Sequence, residues 1–192
     1  MAPINPAPLR ADARRNRERI IIAAEAVFAE HGASASTEEV AARAGVAIGT
    51  VFRHFPTKSD LLGTILKRLV DGLTAEAADL AEGGDPAEAL FTFVTRVVEE
   101  AAAKRTVAGL LADSGVEVET AKAVAHLQGA IETLLGLAQR AGAVRAEIRP
   151  DEVTALLAGL CQAALQAGWG PDLRRRTLAI VFAGLRTGSA RI

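Results

Sequence analysis

Residues 37–55 read Thr37-Glu-Glu-Val-Ala-Ala-Arg-Ala-Gly-Val-Ala-Ile-Gly-Thr-Val-Phe-Arg-His-Phe55, and this stretch decides the fold. It has the pattern of two short helices joined by a tight turn. Thr37 is placed to cap the first helix, its hydroxyl accepting an orphan amide at the helix start. Glu38 and Glu39 fall in the first turn, where negative charge suits the helix dipole. Val40, Ala41 and Ala44 share one face at helical spacing. Gly45 can adopt φ > 0 and close the first helix sharply. Val46, Val51 and Phe55 supply apolar contacts beyond the turn, and small Ala41 lets the second helix cross closely. This is the geometry of a helix-turn-helix, whose second helix enters the major groove of DNA.

Working outward, the run Ile48-Gly-Thr-Val-Phe-Arg-His-Phe-Pro-Thr-Lys-Ser-Asp-Leu-Leu62 and the upstream run Ile20-Ile-Ile-Ala-Ala-Glu-Ala-Val-Phe-Ala-Glu-His-Gly32 flank and extend the unit. Together these segments closely resemble the DNA-binding head of the TetR family of transcriptional regulators. The resemblance covers residues 12 to 65. It implies an all-α chain with an N-terminal helical head and a C-terminal helical domain for effector binding and dimerisation. By the same resemblance, Thr37, Thr50, His54 and Lys58 are phosphate ligands. The family commonly has tyrosine where this chain has Phe52, which cannot donate a hydroxyl hydrogen bond. Phe52 is therefore expected against sugar or a thymine methyl. Ile48 and Gly49 complete the recognition face. Gly49 either admits the DNA backbone or eases packing. Arg53 has the donors to read guanine or to bind phosphate. Arg43 is a further DNA candidate, with an ordinary solvated side chain as its alternative.

Composition agrees with this reading. With 192 residues, of which 50% are hydrophobic, the chain can bury a substantial core. Alanine, leucine and valine dominate and Tyr is absent, which favours helices over strands. The net charge of −1 excludes a uniformly basic nucleic-acid binder. Arginines at 10, 14, 15, 17 and 19, however, make a local basic arm suited to phosphate.

Prolines among residues 1–11 mark a flexible arm, 12–60 the DNA-binding domain, and 61–192 the sensing and dimerisation domain. A first helix is expected from Asp12 to Glu30. Pro56 stops the recognition helix, and Thr57 or Lys58 starts a long fourth helix. Gly83-Gly84-Asp85-Pro86 breaks that helix and starts a fifth over 86–103. A short segment over 104–113, and helices over 117–139, 150–168 and 172–187, complete the chain.

Residues 153–168 and 177–185 of the last two helices are uncharged and apolar, small or amide all round, which requires burial on every side. Ala155, Gly159, Gln162 and Gln166, with Thr177, Val181 and Gly184, are the expected homodimer interface. Central helices of a monomer are the alternative. Phe91, Phe93, Val97, Leu111, Leu127, Ile131 and Trp169, with Gln128 and Gln162 as polar groups, are candidates to line a site for a small apolar effector. Each could equally be solid core.

Catalytic chemistry has no visible constellation. His31, His54 and His126 are scattered, no metal spacing occurs, and the glycines form no phosphate loop. No cofactor is expected. Cys161 cannot form an intramolecular disulfide, and its apolar helix makes it an inert core residue. Residues 153–171 are uncharged, but their glutamines and glycines argue against a membrane span. With no secretion signal at the start, a cytoplasmic protein is expected. The sequence thus predicts a dimeric repressor, released by its ligand from a pseudo-palindromic operator. Against it stand a helical protein–protein adaptor and a small helical enzyme, neither of which would bind DNA.

Overall fold

The structure, a computed structural model, describes residues 6–103, 107, 109–110 and 117–188. It is all-α, as the composition predicts. Among the described residues the elements are α1 (Pro6–His31), a short 3-10 turn (Gly32–Ser34), α2 (Thr37–Ala44), α3 (Ile48–His54), α4 (Lys58–Gly83), α5 (Ala89–Ala103), α6 (Glu117–Arg140), α7 (Pro150–Ala167) and α8 (Pro171–Leu185). No strand forms among them. A single antiparallel bridge joins Val144 to Arg186.

Two apolar cores organise the chain. The first gathers Ile20, Ile21, Ala24, Val27 and Phe28 of α1 with Val40 and Ala41 of α2, Val51 of α3 and Phe55. Leu61, Leu62 and Ile65 of α4 close it. Large side chains such as Phe28 and Leu61 are fully enclosed, each stabilising the head by about 1.5–3 kcal/mol. The second core takes the other half of α4 (Val70, Leu73, Ala77) with α5, α6, α7 and two positions of α8, Leu178 and Leu185. One continuous helix therefore serves both cores. Beyond α5, Val107 is buried in the head core and Leu110 packs on it.

Local chemistry fixes the ends. The N-cap of α2 is Ser36, not Thr37. The Ser36 hydroxyl accepts from the Glu39 amide at 3.1 Å, and the Glu39 carboxylate accepts from the Ser36 amide at 2.8 Å. The sequence pattern Ser36-x-x-Glu39 is a capping box, which moves Thr37 into the first helical position. Gly45 ends α2 at φ 63°, ψ 41°, the left-handed conformation expected of it. Phe55 is extended, as a residue before proline prefers. Thr57 and Asp60 form a second capping box at the start of α4.

Other boundaries differ from the sequence reading. The first helix begins at Pro6 instead of Asp12, so the backbone of much of the expected flexible arm is helical. The fifth begins at Ala89, after a turn in which Asp85 accepts from the Ala87 amide. Pro86 lies in that turn, outside the helix. Most of the segment expected over 104–113 lies outside the described residues.

Helix α8 is tied back at its C-terminal end. The Phe182 ring packs on Phe91 at 4.9 Å between centroids. The Arg186 guanidinium lies over the Phe91 ring, 4.1 Å from its centroid, and its Nη2 donates to both carboxylate oxygens of Glu88. The Arg145 amide donates to the Leu185 carbonyl, extending the tie to the loop after α6.

Candidate nucleic-acid interface

Helix α3 shows one side to the protein and one to the outside. Val51 is wholly buried and Phe55, just past the helix end, nearly so. Ile48, Gly49, Phe52 and Arg53 are all exposed. Positions i, i+1, i+4 and i+5 fall on one arc of a helix, so these residues form a single outward face. Thr50 and His54 sit half-buried along its margins. A Cβ added at Gly49 would meet nothing within 4 Å. Packing inside the protein therefore does not require glycine there.

The neighbouring cations are mostly engaged within the head. Lys58 donates to the Ala35 carbonyl at 2.9 Å and lies 5.4 Å from the Phe28 ring centroid. Arg43 pairs with Glu30. That hydrogen bond, with the arginine's charge, holds the Glu30 carboxyl below the usual carboxylate range. The Ser36 amide does the same for Glu39. Within the expected basic arm, Arg15 pairs with Asp12, Arg17 lies over the Phe55 ring, and Arg19 donates to the Gly45 carbonyl. Arg17 and Arg19 thus brace α1 against the helix-turn-helix, while the Arg15 pair stays within α1, roles that the charge run alone did not reveal. Thr37, displaced from the capping position, is half-buried at the start of α2.

A second surface lies on α7 and α8. Ala155, Gly159, Gln162, Gln166 and Gly184 are exposed, while Thr177 and Val181 are partly buried. Leu156 of α7 is 45% exposed, and Ile180 of α8 is 75% exposed. Neither Gly159 nor Gly184 would bring an added Cβ within 4 Å of another atom. These helices are therefore not enclosed on every side. They leave an outward strip of small, amide and aliphatic groups.

Most of the described residues of the expected effector lining belong to the second core. Phe91, Phe93, Val97, Leu127 and Ile131 interlock within the second core, and Trp169 packs partly buried against it. Helix α5 packs on both α6 and α7. Gln128 and Gln162 point outward, and Leu111 lies outside the described residues. A groove of about 610 Å³ runs instead between α5 and α8, where Leu178, Ala179 and Phe182 meet Thr95, Glu99, Arg174 and Arg175. Burial pushes the Cys161 thiol up to about 11, in keeping with a packed and unreactive side chain. Among the described residues no cluster of His, Cys, Asp or Glu could hold a metal ion, and no helix is long and apolar enough to cross a membrane.

Comparison with known proteins places this geometry. Residues 20–65 match the family described as bacterial regulatory proteins, tetR family, and residues 85–187 match the SbtR-like transcriptional regulator C-terminal domain. The chain is 36% identical to the TetR transcription regulatory protein from Mycobacterium vanbaalenii, with 94% of this chain and 100% of that one covered at a TM-score of 0.74. It is 32% identical to the TetR transcriptional regulator SCO0520 from Streptomyces coelicolor, covering 88% and 98% at a TM-score of 0.71. An HTH-type transcriptional regulator of Staphylococcus aureus (strain USA300) is 39% identical over 64 residues. That match spans 33% of this chain and 35% of the relative's length. The match to the family's C-terminal domain and the near-complete coverage of these structures extend the likeness well beyond the helix-turn-helix: the chain belongs to the TetR family of transcriptional regulators, which are DNA-binding regulators and not enzymes.

Proposed function

We propose that this regulator is a cytoplasmic repressor that binds a pseudo-palindromic operator as a homodimer and is released by a small effector. The outward face of α3 carries the proposal. Ile48, Gly49, Phe52 and Arg53 are exposed together on a helix otherwise anchored by Val51, a surface shaped to enter a groove. Thr37, Thr50, His54 and Lys58 flank that face as phosphate contacts. Lys58 would have to exchange its Ala35 carbonyl for a phosphate or share its donors between them. Arg43, already paired with Glu30, would contribute at the periphery.

The exposed strip on α7 and α8 supports pairing with a second copy. Residues so small and so poor in charge fit the close approach of helices, and a two-fold axis there would set two α3 helices side by side. Both heads must then fit grooves about 34 Å apart, or a near multiple of that spacing. A change in their separation breaks the register. Val107 and Leu110, which follow α5 and seat in the head core, give the C-terminal domain a direct hold on the head. An effector that binds the two head spacings with different affinity would shift this equilibrium. We take the effector to be apolar, in keeping with the buried faces of α5 and α6.

Quantitative binding to an operator selected from random DNA tests the docking. Arg53→Ala should weaken operator binding and relax preference at one position per half-site by roughly 1–3 kcal/mol if the guanidinium reads a base. Lys58→Ala should weaken all sequences alike and reduce the salt slope by about 1. Parental affinity in both variants at physiological salt would remove α3 from the interface.

A further inference from the structure

The recognition face contains an apolar ridge that phosphate binding does not use. Ile48 is 37% exposed and Phe52 is 47% exposed, among the large hydrophobic side chains left open on the surface. They are four residues apart on α3, one helical turn, and so stand one above the other. Neither side chain can donate or accept a hydrogen bond. Beneath them Val51 and Phe55 are buried, so the ridge cannot turn inward without unpacking the head. Nothing polar on the ridge would satisfy a phosphate oxygen, and a bare phosphate pressed against it would lose water without return. In the major groove the apolar group presented by a base pair is the C5 methyl of thymine.

We infer that Ile48 and Phe52 read thymine methyl groups, so that each half-site requires thymines where the ridge lies. This rests on the docking of α3 proposed above and adds to it the identity of the bases read. The spacing limits where those thymines fall. One turn of α-helix advances about 6 Å over four residues, while successive base pairs rise about 3.4 Å. The ridge therefore spans no more than about two base-pair steps, and both methyls belong within one short core of the half-site. Arg53, next to Phe52 on the same face, would contact the base pair or phosphate bordering that core. Gly49, beside the ridge on the same face, carries no side chain that would hold the ridge away from the methyls.

The test removes only the methyl. An operator is selected from random DNA by the purified full-length protein, and each thymine of one half-site is replaced in turn by deoxyuridine, which keeps every hydrogen-bonding group. Affinity is measured by fluorescence anisotropy at fixed salt. The parent should lose about fourfold at each ridge thymine, the factor carried by one buried methyl-sized group, and nothing at thymines elsewhere. Ile48→Ala and Phe52→Ala should each bind the thymine operator more weakly, yet no longer distinguish uridine at their own position. Both residues are exposed, so the variants should melt as the parent does. A 5-methylcytosine placed in the same groove position of a cytosine-substituted site should recover part of the loss. Selective operator binding that is indifferent to uridine throughout the half-site overturns the ridge while leaving the docking intact. Failure to select any operator overturns both.

Discussion

Replacing Gly45 by alanine puts a Cβ at the hinge of the helix-turn-helix. The residue stands at φ 63°, ψ 41°, and its amide donates to the Ala41 and Ala42 carbonyls. An L residue with a side chain pays roughly 1–2 kcal/mol to occupy this left-handed conformation. The new methyl would also lie 2.7 Å from Nη2 of Arg19, which donates to the Gly45 carbonyl at 3.3 Å. That clash is with the end of a flexible side chain and resolves by moving it. The cost is then one long, exposed hydrogen bond, at the low end of about 0.5–1.5 kcal/mol. Alanine also narrows the unfolded ensemble, which returns about 0.4–1 kcal/mol. The net loss should be about 1–2 kcal/mol, or about 2–8 °C in the melting of a domain of this size. Urea denaturation followed by circular dichroism measures it. Gly45→Asn serves as the control, because asparagine tolerates the left-handed region better and should fall between parent and alanine. An alanine variant as stable as the parent, or an asparagine variant less stable than alanine, would refute the reasoning.

Other perturbations have equally direct readouts. Ser36→Ala removes the hydroxyl that accepts from Glu39 and should cost about 0.5–2 kcal/mol in denaturant, whereas Thr37→Ala should cost less, since Thr37 is not the cap. Ile180→Glu adds a charge at a position 75% exposed in one subunit, so helicity should persist while sedimentation shows the dimer split; a stable dimer would move the interface elsewhere. Cys161, its thiol raised to about 11 by burial, should resist iodoacetamide at pH 8 in the native protein and react once unfolded, as followed by mass spectrometry. Rapid native alkylation would show that α7 is more open than its packing indicates.

The helix-turn-helix was legible because short-range rules act there without competition. Gly45 could close α2 in only one way, and Val40, Ala41, Ala44 and Val51 had a single face to bury. The cap was misplaced by one residue because Thr37 is a good cap in isolation. The reciprocal Ser36–Glu39 pair outweighs it, and its three-residue spacing was present in the chain. The basic arm was harder to read. Charge alone does not distinguish an arginine facing phosphate from one spent on the Gly45 carbonyl or the Phe55 ring, since that depends on which side of α1 meets α2. The effector lining was open for a related reason. Phe93 and Ile131 have the same side-chain chemistry whether they bound a cavity or fill one, and only the packing of α5 against α6 decides between the two. Leu156 and Ile180 were informative in the opposite sense. Uncharged stretches of α7 and α8 called for burial, and the structure leaves part of each exposed.

The operator itself tests the account most directly. Binding-site selection from random DNA by the full-length protein, with the stoichiometry of the resulting complex measured by sedimentation, reports docking and symmetry together. Two copies of α3 related by a two-fold axis should select an inverted repeat whose half-site centres lie about 10 base pairs, or a near multiple, apart. Phe52→Ala and Arg53→Ala should change the preferred bases within each half. An asymmetric site bound by a single chain, or a selected sequence unaffected by either substitution, would contradict the proposal that paired α3 helices read the DNA.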